Sequence, residues 1–245
     1  MKLNILLLTI SLHCLFNSVG NAETTLHIST GFTPPVSDFF NRVLTEADRR
    51  IESIAISFEI LPAERSLVLA NQGINDGECC RIPEVIASEY PNLIHTNISF
   101  FAARFSAFSK RRDLKLSSFT DLKPYSVGSI KGWKIAVNKI QEAQPREVHI
   151  VTKPEQLFQM LKQERIDVGV MGYLSGLKSI SQLQIDDIYA IDPPLIEKPL
   201  YLFLHKKHKT ILPELNRTLR EMVSDGTVDT IYKDLIQSLQ KETSN

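Results

Sequence analysis

Along residues 54–60, Ile54, Ile56, Phe58 and Ile60 alternate with Ala55, Ser57 and Glu59. A period of two predicts a strand with one buried face. Just upstream the period changes. Phe39, Phe40, Val43, Leu44 and Ala47 fall on one face of a helix, for which Ser37 is a reasonable N-cap. The two periods keep exchanging from there. A short strand at 25–29 leads through the loop Gly31-Phe32-Thr33-Pro34-Pro35 into that helix. Pro62-Ala63-Glu64-Arg65 opens another helix, which stops near Gly73, and 74–80 returns to strand. Pro83 suits the first turn of a brief helix, and 93–109 is rich in aromatic and β-favouring residues and reads as extended.

The second half repeats the theme. Strands are predicted at 125–129, 148–152, 166–171, 188–191 and 200–205. Helices are predicted at 133–140, from Pro154 with Leu157, Phe158 and Leu161 on one face, and at 172–180, 213–224 and 228–241. Such alternation predicts an α/β architecture with mostly parallel sheets. One segment echoes another: Ala70-Asn71-Gln72-Gly73-Ile74-Asn75-Asp76-Gly77 resembles Leu161-Lys162-Gln163-Glu164-Arg165-Ile166-Asp167-Val168. In each a helix ends, a turn follows, and an Asp enters a short strand, as a pair of similar α/β lobes would require.

Composition narrows the field. The 245 residues are 43% hydrophobic, enough for one large domain or two lobes. Lys plus Arg (28) equals Asp plus Glu (28), so no global field argues for nucleic acid. The basic runs at 110–112 and 206–209 read as solvated loops. At the start, Met1-Lys2, an apolar run over 3–16 and the small residues of Ser18-Val19-Gly20-Asn21-Ala22 have the order of a secretory signal peptide over 1–22. The run is short for a membrane span. Cys14 leaves with that segment, so Cys79 and Cys80 remain, adjacent in sequence. An oxidising compartment allows a disulfide between them, and two free buried thiols are the alternative. Their spacing is not that of a metal site. Gly-x-Ser-x-Gly, His-Glu-x-x-His and phosphate-loop patterns are absent. Glu64, Glu78 and His95 could in principle act as acid or base, but nothing assembles them into a catalytic group, and the chain reads as no enzyme.

The residues that carry a family likeness run from Leu61-Pro62-Ala63-Glu64-Arg65-Ser66 through Gly73-Ile74-Asn75-Asp76-Gly77-Glu78 to Arg81-Ile82. Further pieces are Leu122-Lys123 before Ser126-Val127-Gly128-Ser129, the segment Arg165-Ile166-Asp167-Val168-Gly169, and Asp225-Gly226-Thr227 between the final helices. In this order they resemble a short, uncharacterised branch of the bacterial extracellular solute-binding protein family 3. That resemblance implies an α/β, two-lobed type II periplasmic-binding-protein fold with two crossing hinge strands. Lobe 1 would combine 23–106 with 200–245, lobe 2 would be 107–199, and the crossings would lie near 103–108 and 197–201. A small solute would bind in the cleft and closure would be a hinge motion.

Cleft ligands need aromatic platforms, charged anchors and free N–H groups. The candidates are Phe32, Arg65, Arg81, Lys131, Gly132, Trp133 and Tyr173. Phe32 and Trp133 are platforms or packed core residues. Arg65 and Arg81 are carboxylate forks or partners of Glu64, Glu78 or Glu84. The turn Lys131-Gly132-Trp133 could hold an anion, and Tyr173 follows the strand at 166–171. The segment Met171-Gly172-Tyr173 lacks the acid with which amino-acid binders of the family hold an ammonium. An amino-acid-like solute, an organic anion, a peptide fragment or an aromatic compound all stay open. The expected partners are that ligand and an ABC permease or a membrane sensor, with no nucleic acid and no cofactor. The membrane would be met only through a partner, and the expected location is the periplasm. A monomer is expected, since one hinged chain is complete by itself.

Overall fold

A computed structural model of the chain describes residues 24–241. The expected signal segment and Cys14 lie outside the described residues. The first strand, β1 (Thr24–Thr30), buries Leu26 and Ile28 and pairs in parallel with β2 (Ile54–Ile60) and β3 (Gly77–Arg81). Between them run α1 (Val36–Arg50) and α2 (Ala63–Asn71). The helix face of Phe39, Phe40, Val43, Leu44 and Ala47 is buried as its spacing predicts. Ser37 does not cap α1. The helix begins earlier, with Pro35 at the cap, and Ser37 is buried in its first turn with no hydrogen-bond partner for its Oγ.

After α3 (Pro83–Ile86) and β4 (Leu93–His95), the chain enters the long strand β5 (Phe101–Ser109). A second α/β unit follows: β6 (Ser126–Ile130), α4 (Lys134–Ala143), β7 (Glu147–Val151), α5 (Pro154–Lys162), β8 (Val168–Gly172) and α6 (Tyr173–Gln182). Its strands β7 and β8 flank β6 in parallel. Then β9 (Tyr189–His205) returns, and α7 (Leu212–Ser224) and α8 (Thr227–Lys241) close against α1. Among the described residues no helix is long and apolar enough to cross a membrane.

Where two strands are expected at 188–191 and 200–205, β9 is one continuous strand of 17 residues. It pairs antiparallel with β5 from Phe101↔Leu200 to Ser109↔Tyr189. The prolines hid this continuity, because Pro lacks the N–H a ladder needs. They are absorbed at an irregularity. As β5 passes from Phe105 to Ala107, β9 passes from Ile196 to Ile191, and Pro193 and Pro194 lie in the excess. The strands join in one path, β2-β1-β3-β9-β5-β8-β6-β7, with β4 beside β9. The sheet is therefore mixed. Pairings within each α/β unit are parallel, and every pairing made by β5 or β9 is antiparallel.

The echo between 70–77 and 161–168 proves structural. Asp76 N–H donates to the His27 carbonyl at 2.8 Å, and Asp167 N–H donates to the Ser126 carbonyl at 2.9 Å. In return His27 N–H donates to Asp76 Oδ2 at 2.9 Å, and Ser126 N–H donates to Asp167 Oδ2 at 2.8 Å. Each Asp thus clips the entrance of a third strand onto the first strand of its unit. The chain before each Asp turns through a left-handed residue, Gly73 at φ 73° and Glu164 at φ 55°. Asp76 adds Lys207 Nζ at 2.7 Å and His208 Nε2 at 2.6 Å, while Asp167 adds Arg146 Nη2 at 2.8 Å.

Burial by itself raises the Asp76 carboxyl pKa. The His27 N–H, Lys207 and His208 outweigh that burial and bring it down to about 2 from the usual 3.8. A depressed carboxylate stabilises the fold fully above the unfolded value and loses that contribution as pH falls toward about 2. Asp76→Asn is expected to lose about 2 kcal/mol at pH 7 in urea unfolding, from a shift of that size. The difference from the native chain should close as pH is lowered through the same range.

Candidate functional site

In a parallel pair the carboxyl ends of the strands share one edge, where side chains of several loops converge. At that edge of the first unit, β1 ends in Thr30-Gly31-Phe32, β3 ends in Arg81, and α2 starts with Ala63-Glu64-Arg65. Gly31 is there by necessity. A Cβ on it would clash with Ala63 and come within 2.6 Å of Arg81 Nη2. The Arg81 guanidinium stands 5.4 Å from the centroid of the Phe32 ring, which meets Phe40 edge-on at 5.5 Å.

Arg81 is held from below by Glu78, whose side chain is 0% exposed and whose Oε1 lies 2.6 Å from Arg81 Nη2. Ser66 Oγ of α2 donates to Glu78 Oε2 and stands 2.8 Å from Ser29 Oγ of β1. Burial pushes the Glu78 carboxyl up to about 7, against Arg81, the Ser66 hydroxyl and the Gly31 N–H, which favour the anion. Arg81 Nη2 also approaches the Ala63 carbonyl at 3.5 Å, while the buried Nε has no hydrogen-bond partner. Arg65 points outward, and its side chain has no ion-pair or hydrogen-bond partner among the described residues.

At the matching edge of the second unit, β6 ends before Lys131-Gly132-Trp133 and β8 runs into Tyr173. Gly132 takes a left-handed φ of 97°, which lets the chain turn into α4. Two of the turn's N–H groups are already used: Lys131 donates to the Val151 carbonyl at 2.8 Å and Trp133 to the Ile130 carbonyl at 3.3 Å. Lys131 is exposed. Trp133 is half-buried, edge-on to Phe105 at 5.6 Å, and lies over Gly172, where a Cβ would sit 3.0 Å from its Cη2. Cys79 and Cys80 are joined by a disulfide, both fully buried, next to Arg81.

No protein-family model matches the chain, and no curated protein matches it in sequence. Solved structures do match. The probable amino-acid ABC transporter extracellular-binding protein ytmK of Bacillus subtilis superposes with a TM-score of 0.70 at 15% identity, over 88% of this chain and 99% of that one. An ancestral arginine-binding protein bound to glutamine gives 0.58 at 19% identity, over 87% and 98%. A histidine kinase sensor domain with similarity to periplasmic binding proteins gives 0.61 at 13% identity, over 87% and 96%. The fold is that of the type II periplasmic binding proteins. Its two lobes are the two α/β units, and β5 and β9 cross between them.

Each unit thus has one such edge, and the candidate residues divide between the two. Phe32, Arg81 and Arg65 come from one lobe, and Lys131, Gly132, Trp133 and Tyr173 from the other. The lobes also touch directly. Leu174 of α6 is buried in the core cluster that holds Phe39, Phe40 and Phe100, and Lys178 Nζ reaches the Pro34 carbonyl at 3.4 Å. Near Tyr173, on the crossing strands, Arg104 Nε pairs with Glu197 Oε1 at 3.2 Å, and Arg104 also bonds Tyr232 of α8. Burial raises the pKa of the Tyr173 phenol, Asp192 adds to the rise, and Arg104 opposes it.

Sequence reasoning missed the centre of this arrangement. The sequence offers Glu78 as part of the family-like segment, as a partner for Arg81 or as a possible acid or base, and assigns no role to Ser29, Ser66, Arg104 or Tyr232. The signal for Arg104 lay in the register, since it stands directly opposite Glu197. Glu78 carries a testable consequence. A carboxyl whose folded pKa is raised makes the fold less stable as pH climbs from the unfolded value of 4.5 to about 7. Glu78→Gln should therefore gain on the native chain over that interval, by up to about 1.4 kcal/mol per pH unit. The check is the difference in urea midpoint between the two proteins, measured at steps across the same range.

Proposed function

We propose that this protein binds a small solute in its interlobe cleft, an organic anion or an amino-acid-like molecule, and delivers it to an ABC-type permease. The observation that carries the reading is Arg81, a cation on the cleft edge with a buried, unpartnered Nε over an aromatic ring. A buried donor without an acceptor costs about 1–3 kcal/mol, and a ligand carboxylate would offset that cost. Arg65 supplies a second guanidinium from the same lobe, without a partner among the described residues, and Lys131 an exposed ammonium from the other. Phe32, Trp133 and Tyr173 would enclose the apolar part of the ligand. Residues 1–22 act as an export signal in this reading, placing the mature chain in the periplasm, and the lobes meet near residues 107 and 200.

A second reading, ligand sensing for a membrane receptor, draws support from the likeness to a kinase sensor domain. Both readings share the binding step and involve no chemistry on the solute. That step is tested by thermal shift of the mature protein against amino acids, organic acids, short peptides and aromatic metabolites. A ligand at a hundred times its Kd adds about 2.7 kcal/mol. The expected result is a saturable rise in Tm with one carboxylate-bearing class, abolished by Arg81→Ala and weakened by Arg65→Ala. A flat response across the panel would overturn the proposal.

A further inference from the structure

In a regular strand side chains alternate, so residues three apart point to opposite faces. Glu78 and Arg81 are three apart on β3, yet they form an ion pair on one face. The register explains how. Gly77, Glu78 and Cys79 stand opposite Leu204, Phe203 and Leu202 of β9, and Arg81 stands opposite Tyr201. Cys80 is the extra residue of a bulge, which reverses the facing of everything after it. The bulged residue is also the one cross-linked to its predecessor. Both cysteines are 0% exposed and packed in the core cluster with Leu26, Leu200 and Leu202.

We propose that the Cys79–Cys80 disulfide is the positioning element of the ligand site: it holds the β3 bulge, and the bulge puts Arg81 on the cleft edge against Glu78 and Phe32. Joining neighbouring residues closes a small ring through their peptide link, so the backbone between Glu78 and Arg81 keeps a single conformation. With the bond open, the bulge can shift along β3 or smooth out, and either change moves the guanidinium off Glu78. The assignment rests on the binding reading for what Arg81 does, but not for where Arg81 is placed. It also makes the site sensitive to thiol reductants once unfolding exposes the two sulfurs, which the native core buries. A dithiol would pass two electrons and two protons to the bond, leaving two cysteine thiols and its own cyclic disulfide.

The test needs no ligand, because Glu78 reports on Arg81. The groups facing its carboxyl are Arg81 from β3, Ser66 from α2 and the Gly31 N–H after β1, so Arg81 is the one charge among them. Glu78 is titrated by carboxyl NMR in the native protein, in C79S/C80S, in R81A and in the combined variant. Losing an opposite charge at this range raises a carboxyl pKa by about 1–3 units. The expected result is an equal rise in C79S/C80S and R81A, with no further rise when they are combined. A rise in R81A alone, or in neither, overturns the proposal.

If the serine pair does not fold, C79A/C80A and native protein refolded from urea under dithiothreitol replace it. Failure of all three to fold would assign the bond to folding rather than to Arg81, and would equally overturn it. Since no solute enters, a flat ligand panel and an unchanged Glu78 titration are separate failures.

Discussion

The antiparallel pairing of β5 with β9 is the constraint on which the molecule depends. Each α/β unit builds its own parallel sheet, and parallel strands need a helix to return the chain. Neither sheet can reach the other by that route. Two extended strands laid against each other connect them with main-chain hydrogen bonds, and β3 and β8 then dock on the outer sides of the pair. Whatever moves one unit against the other must do so through these two strands. The prolines in β9 and its irregularity opposite Phe105–Ala107 put a break in the ladder on that path. Leu174, anchored in the core of the other lobe, ties the two units together beside these strands.

Within each lobe a second economy is visible. Asp76 and Asp167 occupy the same place, make the same pair of hydrogen bonds to the first strand and recruit a cation each. A short side chain bonding a nearby backbone N–H suits the entry to a strand, where the ladder has yet to begin. In both lobes this clip sits at the amino end of the strand, opposite the edge where the candidate residues lie.

The polar centre of the site shows how a strand can break its own alternation. A buried carboxylate is costly unless it is paired and hydrogen-bonded, and Glu78 has Arg81, Ser66 and the Gly31 N–H about it. These come from two strands and a helix that sequence separates widely. Gly31 completes the fit, because any side chain there would displace the guanidinium. The position of the Arg81 guanidinium is thus set by the packing about it.

Much of the fold was legible along the chain. The order of strands and helices, the buried face of α1, the stop at Gly73, the closing pair of helices and the Asp-bearing echo all follow from local periodicity and turn chemistry, which depend on near neighbours. The place of the candidate residues at the carboxyl ends of strands was legible too, because parallel α/β units collect their loops at one edge. Three things were out of reach. Ser37 lies inside its helix, β9 runs unbroken through its prolines, and Glu78 shares a face with Arg81. Ser37 is carried into its helix by the turn at Thr33 and Pro35, while the other two depend on partners far away in sequence: the pairing strand β5, and the register of β3 against β9. A one-residue bulge leaves no mark in composition or period, yet it decides which way a side chain points. That decision belongs to the pairing of strands, and it exists only once the chain has folded.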